Sequence, residues 1–136
     1  MQSAALTGRT ILVVEDEPLI ALDIASAFEK SGAVVVKARS LAQARGFVER
    51  KDLSAAVVDF GLSDGDAASM CIRLASRDIP YVLHSGYSGK RITCGRGAVI
   101  PKPANPTALI EAIVELLGGQ NDASLSAHRT SRVLQH

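Results

Sequence analysis

The chain has 136 residues, of which 47% are hydrophobic and 21% are charged, and this composition fits one globular domain around a single core. Its 15 basic and 14 acidic residues leave a net charge of +1, which argues against nucleic acid or an anionic membrane surface as a partner. Tryptophan is absent and aromatic residues make up 4%, so the core must be aliphatic, as is typical of parallel sheets.

Short apolar runs and segments of helical period alternate along the chain, which predicts a repeated strand–helix order. We expect strands at residues 9–14, 33–38, 54–59, 80–85 and 98–100. We expect helices at residues 18–31, 41–51, 67–77 and 106–117. Pro18 and Pro106 stand where a first helical turn accepts proline, Ser40 is a candidate N-cap, and Gly32 supplies a left-handed helix stop.

The connection between the fourth and fifth strands, residues 86–96, is poorly suited to a helix. It carries three glycines and three basic residues, namely Gly86, Gly89, Gly95, Lys90, Arg91 and Arg96. Each glycine inside a helix costs about 1 kcal/mol relative to alanine, so we expect a fourth helix that is shortened or irregular. The whole pattern predicts an α/β fold, a doubly wound five-stranded parallel sheet with helices on both faces.

Acidic residues follow two of the predicted strands. Glu15, Asp16 and Glu17 come directly after the first strand, and Asp59 ends the third. Two interpretations stay open for the first cluster. In the first, the acids are stabilised by the positive end of the helix that Pro18 begins. In the second, they converge with Asp59 and hold Mg²⁺ through carboxylate oxygens.

The fourth and fifth strands end in Ser85 and Lys102. Taken singly, such residues are usually a turn cap and a solvated lysine. The carboxyl ends of parallel strands meet at one edge of the sheet, where ligands of open α/β folds bind. Acids, a hydroxyl and an amine at four strand ends therefore favour a functional site at this edge.

These motifs, in this order, resemble those of the receiver domain of bacterial two-component response regulators. They are Val-Val-Glu-Asp-Glu-Pro at 13–18, Val58-Asp59, Ser85-Gly86 and Pro101-Lys102-Pro103, and the resemblance covers residues 10–117. It implies the flavodoxin-like, CheY-like strand order 2-1-3-4-5. It also implies that Asp59 accepts a phosphoryl group from a sensor histidine kinase or a histidine phosphotransfer protein, and so switches the binding of an output protein.

The resemblance further assigns roles around Asp59. Asp16 and Asp59 would bind Mg²⁺ directly, with the backbone carbonyl of Gly61 as a third ligand and Glu15 acting through water. Lys102 would neutralise the phosphoryl oxygens. Ser85 would hydrogen-bond one of them. The protein would then be a phosphoacceptor that assists its own phosphorylation and dephosphorylation, and not an enzyme in the usual sense.

The chain departs from the family pattern at several positions. Glu15 replaces the commoner aspartate, and the loop after Asp59 lacks the usual proline. Val99 stands three residues before Lys102, where the family usually has the aromatic residue of its switch, and Tyr87 is the nearest aromatic substitute. Residues 86–96, which include Tyr87, are predicted to form part of the surface that binds a partner, together with Val99.

Three other functions compete with this one. A pseudo-receiver that binds a partner without phosphorylation is favoured only by Val99. A haloacid-dehalogenase-like phosphatase needs a second aspartate two residues after the nucleophile, where this chain has Gly61. A flavodoxin-like cofactor binder needs amides and hydroxyls where the first strand ends in acids.

We expect an N-terminal extension at residues 1–8, a receiver domain at 9–119 and a tail at 120–136 that is mobile or forms a short extra helix. The tail is too short for a second fold.

Cys71 and Cys94 lack metal-ligand spacing and are expected to be free thiols. No secretion signal or transmembrane stretch is apparent, which favours the cytoplasm, and a homodimer is left open.

Overall fold

The computed structural model describes residues 5–62, 67–86 and 95–118. The described strands are β1 (Thr10–Val14), β2 (Val34–Ala38), β3 (Leu53–Asp59), β4 (Tyr81–Ser85) and β5 (Gly97–Pro101). The described helices are α1 (Pro18–Lys30), α2 (Leu41–Val48), α3 (Ala68–Ser76) and α4 (Pro106–Gly118).

The five strands form one parallel sheet in the order β2-β1-β3-β4-β5, which confirms the predicted fold class. In the register of the central strands, Val14 lies opposite Val58 and Asp59 lies opposite His84. The first residue after β1 and the last residue of β3 are thereby brought side by side. Within the described ranges, no helix combines the length and the apolar character needed to cross a membrane.

Helices cover both faces of the sheet. The side chains along β1 point alternately into the cores on its two faces. Leu12 and Val14 point into a core shared with α2 and α3. Ile11 and Val13 point into a core shared with α1 and α4. All four side chains are 0–1% exposed. A strand covered on both sides must be apolar at every position, and this is the continuous apolar run that the sequence displays.

Local signals set several helix ends. The Ser40 hydroxyl accepts a hydrogen bond from the backbone N–H of Gln43 (3.1 Å), as expected of an N-cap. Gly32 follows α1 with φ +95°, and a Cβ there would lie 2.5 Å from Oγ1 of Thr7. Gly32 is therefore required both by its backbone conformation and by the close approach of the N-terminal turn.

Helix α2 is shorter than predicted. It ends at Val48, whereas the helical period had suggested residue 51. The guanidinium of Arg77, just past α3, donates hydrogen bonds to the backbone carbonyls of Val48 and Arg50. These bonds satisfy carbonyls at the end of α2 and just beyond it, where a helix leaves its last carbonyls without partners.

The predicted irregular fourth helix falls mainly on residues 87–94, and the predicted tail on residues 120–136, both outside the described residues. At the other end, Leu6 is 1% exposed and packs in the core beneath α1 and α4. Its backbone N–H donates to the carbonyl of Ser31 (2.9 Å). Sequence reasoning placed residues 1–8 outside the domain and did not anticipate this burial.

Candidate functional site

The carboxyl edge of the sheet brings together the charged residues at the ends of β1, β3 and β5. Glu15 and Asp59 are buried, with 2% and 5% of their surfaces exposed. They lie side by side because β1 and β3 are neighbours in register. Lys102 follows β5 and is the basic group of this cluster.

Lys102 bridges the two acids. Its Nζ lies 3.1 Å from Oδ1 of Asp59 and 3.6 Å from Oε1 of Glu15. Its backbone N–H donates to the carbonyl of Ser85 (2.6 Å), which fixes the lysine to the end of β4. Partial burial opposes the charge of Lys102, but the hydrogen bond to Asp59 and the attraction of both carboxylates outweigh it and raise the pKa of Lys102.

The surroundings of Glu15 change the pKa of its carboxyl. Burial raises the pKa of Glu15 to about 7, and the nearby charge of Asp59 adds to this effect. The backbone N–H of Glu17, which donates to Oε2 of Glu15 (3.1 Å), and the charge of Lys102 act in the opposite direction. Burial therefore favours the protonated form of this carboxyl more than it would be favoured in water.

The acids fit a divalent cation. Glu15, Asp16 and Asp59 each offer a carboxylate oxygen, and these oxygens lie within 4.8 Å of one another. Oε1 of Glu15 is buried and accepts no hydrogen bond from the described residues, and the ammonium of Lys102 lies 3.6 Å from it. Three oxygens at this spacing form a donor set of the kind that Mg²⁺ prefers.

The loop after β3 orients Asp59. The backbone N–H of Gly61 donates to Oδ1 of Asp59 (3.1 Å), which places Gly61 next to the cluster. Ser85 is fully buried at the end of β4, beside the lysine that it anchors through its carbonyl. Val99 is partly buried and packs against the core under α2 and α3, and Tyr87 lies outside the described residues.

Sequence reasoning did not single out His84. Its side chain is buried, with 4% of the residue exposed, and neither ring nitrogen has a hydrogen-bond partner within the described part of the chain. Burial lowers the pKa of His84, and the charge of Lys102 lowers it further against the attraction of Asp59. The available signal was a polar residue within a strand that is otherwise apolar.

Comparison with known proteins agrees with the fold. Residues 11–114 match the family model described as the response regulator receiver domain. The chain is 23% identical to the CheY-like response regulator receiver domain protein from Methanospirillum hungatei JF-1, with a TM-score of 0.76, and the match covers 85% of this chain and 98% of that one.

Two curated relatives are similar in sequence. The sensor protein TorS of Escherichia coli is 28% identical over 145 residues, covering 98% of this chain and 16% of TorS. The photosynthetic apparatus regulatory protein RegA of Cereibacter sphaeroides is 27% identical over 113 residues, covering 78% of this chain and 61% of RegA. The chain thus spans less than two thirds of the length of either relative.

Proposed function

Since the chain belongs to the response regulator receiver domain family, we propose that Asp59 accepts a phosphoryl group from a phosphohistidine and thereby switches the binding of an output protein. The donor is a sensor histidine kinase or a histidine phosphotransfer protein, and the reaction takes place in the cytoplasm. The observation that carries this proposal is the contact of Lys102 with Asp59 and Glu15 at the sheet edge.

The hydrogen bonds of Asp59 suggest which oxygen reacts. Oδ1 accepts from the backbone of Gly61 and from Lys102, so we assign Oδ2 as the nucleophile. An oxygen of the carboxylate attacks phosphorus, the bond from phosphorus to the donor nitrogen breaks with its electron pair going to the imidazole, and an acyl phosphate forms. Lys102 then offers its ammonium to the phosphoryl oxygens.

The acidic cluster has the ligands for Mg²⁺, which receiver domains bind through acidic residues. In this chain Asp16, Asp59 and the backbone carbonyl of Gly61 would hold the ion, with Glu15 acting through water. The bound ion supplies positive charge that offsets the phosphoryl oxygens as they approach the carboxylates. Glu15 has to release its proton for this role, because a cation competes with the proton for the carboxylate.

Ser85 and Lys102 carry the signal in this proposal. The Ser85 hydroxyl bonds a phosphoryl oxygen, and the carbonyl of the same residue already holds the backbone of Lys102. A shift of either residue therefore moves the ends of both β4 and β5. Val99 on β5 packs into the core and takes the place of an aromatic readout. The same groups assist loss of the phosphoryl group to water.

Phosphorylation by a small phosphodonor tests the proposal without a known kinase. The protein is incubated with Mg²⁺ and acetyl phosphate, and its intact mass is measured over time. The expected result is a gain of one phosphoryl group that requires Mg²⁺ and disappears after incubation in buffer alone. A mass that never changes would contradict the proposal and would favour a binding module that works without phosphorylation.

A further inference from the structure

His84 is the neighbour of Asp59 in the sheet. The two residues lie opposite each other in the register of β4 and β3. Two positions earlier, Val82 lies opposite Val57, and both valines pack in the core shared with α1 and α4. Because side chains alternate along a strand, His84 and Asp59 point to that same face of the sheet. The imidazole therefore stands beside the proposed phosphoacceptor.

The side chain of Lys102 has to cross β4 to reach Asp59. Lys102 follows β5, and β4 lies between β5 and β3. The backbone of Lys102 is held at the end of β4 by the carbonyl of Ser85, while its Nζ lies 3.1 Å from Oδ1 of Asp59. A Cβ on Gly86 would lie 3.9 Å from Cδ of Lys102, so the lysine stem passes close to the end of β4. The stem therefore spans the width of one strand.

His84 is the last residue of β4 on the face that this stem crosses. It is 4% exposed, and it lines the same groove between α1 and the β5–α4 connection as Lys102 does. Burial lowers the pKa of His84, and the charge of Lys102 lowers it further. An uncharged ring can lie next to an ammonium without repelling it.

The ring of His84 has no other evident task among the described residues. Neither of its nitrogens hydrogen-bonds a residue in that part of the chain. The proposed phosphoryl transfer uses carboxylates, an ammonium and a hydroxyl, and not an imidazole. His84 can therefore influence that chemistry through the volume that it fills, and Lys102 is the reacting group that passes over it.

We propose that His84 is a positioning residue, whose ring supports the stem of Lys102 where the stem crosses β4 and so holds the ammonium against Asp59. A lysine stem is flexible and has many rotamers, and packing against a rigid ring selects those that reach the carboxylate. The role of His84 in phosphoryl transfer rests on the proposed function of Asp59. The contact between His84 and Lys102 does not.

The contact is tested in the full chain without metal or phosphodonor. In the presence of a chelator, NMR should show nuclear Overhauser effects between the ring protons of His84 and the methylene protons of Lys102. Their absence would overturn the proposal, whatever the phosphorylation assays show. If the contact is present but the natural protein accepts no phosphoryl group, the proposed function fails and the positioning of Lys102 is still supported.

A double-mutant cycle tests whether His84 acts through Lys102. In His84→Ala the ammonium should spend less time at the carboxylates, so Mg²⁺ should bind about threefold more tightly. Phosphorylation by acetyl phosphate should slow about tenfold, because the ammonium is less well placed. In the Lys102→Ala background, His84→Ala should change neither quantity. Equal effects of His84→Ala in both backgrounds would overturn the proposal.

Two further variants separate support of Lys102 from general loosening of the core. His84→Leu keeps a side chain of similar volume, so both quantities should return to within about twofold of the natural protein. Val82→Ala removes buried volume from the same face of β4, away from Lys102, and should lower the unfolding free energy without changing Mg²⁺ affinity. A Val82→Ala effect on Mg²⁺ affinity equal to that of His84→Ala would overturn the proposal. The Overhauser measurement decides the question even if His84→Ala fails to fold.

Discussion

Nζ of Lys102 lies 3.1 Å from Oδ1 of Asp59, so the basic group of the site holds the proposed phosphoacceptor before any phosphoryl group arrives. The same ammonium is 3.6 Å from Glu15. Lys102 therefore has two roles that oppose each other: it offsets the buried carboxylates in the resting protein, and it repels a cation that would bind the same oxygens.

The opposed roles of Lys102 can be separated by Lys102→Ala. We expect Mg²⁺ to bind about tenfold more tightly, since a positive charge a few ångströms away is removed. Phosphorylation by acetyl phosphate should nevertheless be slower by about 100-fold, because one group that stabilises the charge of the transition state is lost. Calorimetric titration and mass spectrometry measure the two effects.

The control for this experiment is Lys51→Ala, which removes an exposed lysine before β3. It should change neither quantity. Circular dichroism should show that Lys102→Ala keeps its secondary structure. Global unfolding of that variant would instead assign Lys102 a structural role, and weaker Mg²⁺ binding would contradict the opposition described above.

Asp16→Asn tests the metal assignment. One of the three clustered carboxylates becomes a neutral amide of the same shape, so Mg²⁺ affinity should fall about tenfold or more, and phosphorylation should slow at limiting Mg²⁺. Asp52→Asn is the matched control, because Asp52 pairs with Arg50 at the surface. An unchanged Mg²⁺ titration for Asp16→Asn would remove Asp16 from the site.

The raised pKa of Glu15 gives the metal-free protein a definite pH dependence. Burial raises the pKa of this carboxyl to about 7 in the folded protein, from an ordinary value of 4.5. This contribution to stability is therefore complete below pH 4.5 and is lost as the pH rises through 7. With about 1.4 kcal/mol per pKa unit, the loss is on the order of 3 kcal/mol.

Glu15→Gln should remove this dependence, because the amide does not titrate. In a chelator, the variant should gain unfolding free energy relative to the natural protein between pH 5 and pH 8, as measured by urea denaturation. Glu17→Gln changes an exposed neighbour and should leave the pH dependence of the unfolding free energy unchanged. Parallel stability curves for the natural protein and Glu15→Gln would show that Glu15 is charged throughout this range.

Two glycines give a stability test away from the site. A Cβ on Gly97 would lie 2.4 Å from Cζ of Tyr81, whose ring is fully buried and has no room to move, so Gly97→Ala should destabilise the protein by about 1–3 kcal/mol. Gly46 lies inside α2 with open space around it, so Gly46→Ala should stabilise by about 0.5–1 kcal/mol. If Gly97→Ala and Gly46→Ala shifted the denaturant midpoint in the same direction, the packing described here would be contradicted.

The strand ends could be predicted from sequence because a parallel sheet constrains them strongly. Val13 and Val14 are buried on opposite faces, so the apolar run must stop where the strand leaves the sheet, and Glu15 marks that point. Neighbouring parallel strands place such ends at the same edge of the sheet. The proximity of Glu15, Asp59 and Lys102 therefore followed from element order, without any knowledge of individual contacts.

Other features depend on tertiary contacts that no local pattern encodes. The end of α2 is bonded by Arg77, which lies 29 residues after Val48, whose carbonyl accepts the bond. The raised pKa of Glu15 arises from burial by elements that are distant in the chain. His84 could be recognised as polar in sequence, but its burial away from the polar groups of the other described residues depends on what surrounds it in space.

The identity of the phosphorylated residue tests the central claim most directly. The protein is phosphorylated with Mg²⁺ and acetyl phosphate and then reduced with borohydride, which converts an aspartyl phosphate into homoserine that peptide mass spectrometry can locate. The account predicts homoserine at position 59, its absence in Asp59→Asn, and an unchanged result in Asp52→Asn. Homoserine at another position, or a phosphoryl mass gain that persists in Asp59→Asn, would contradict it.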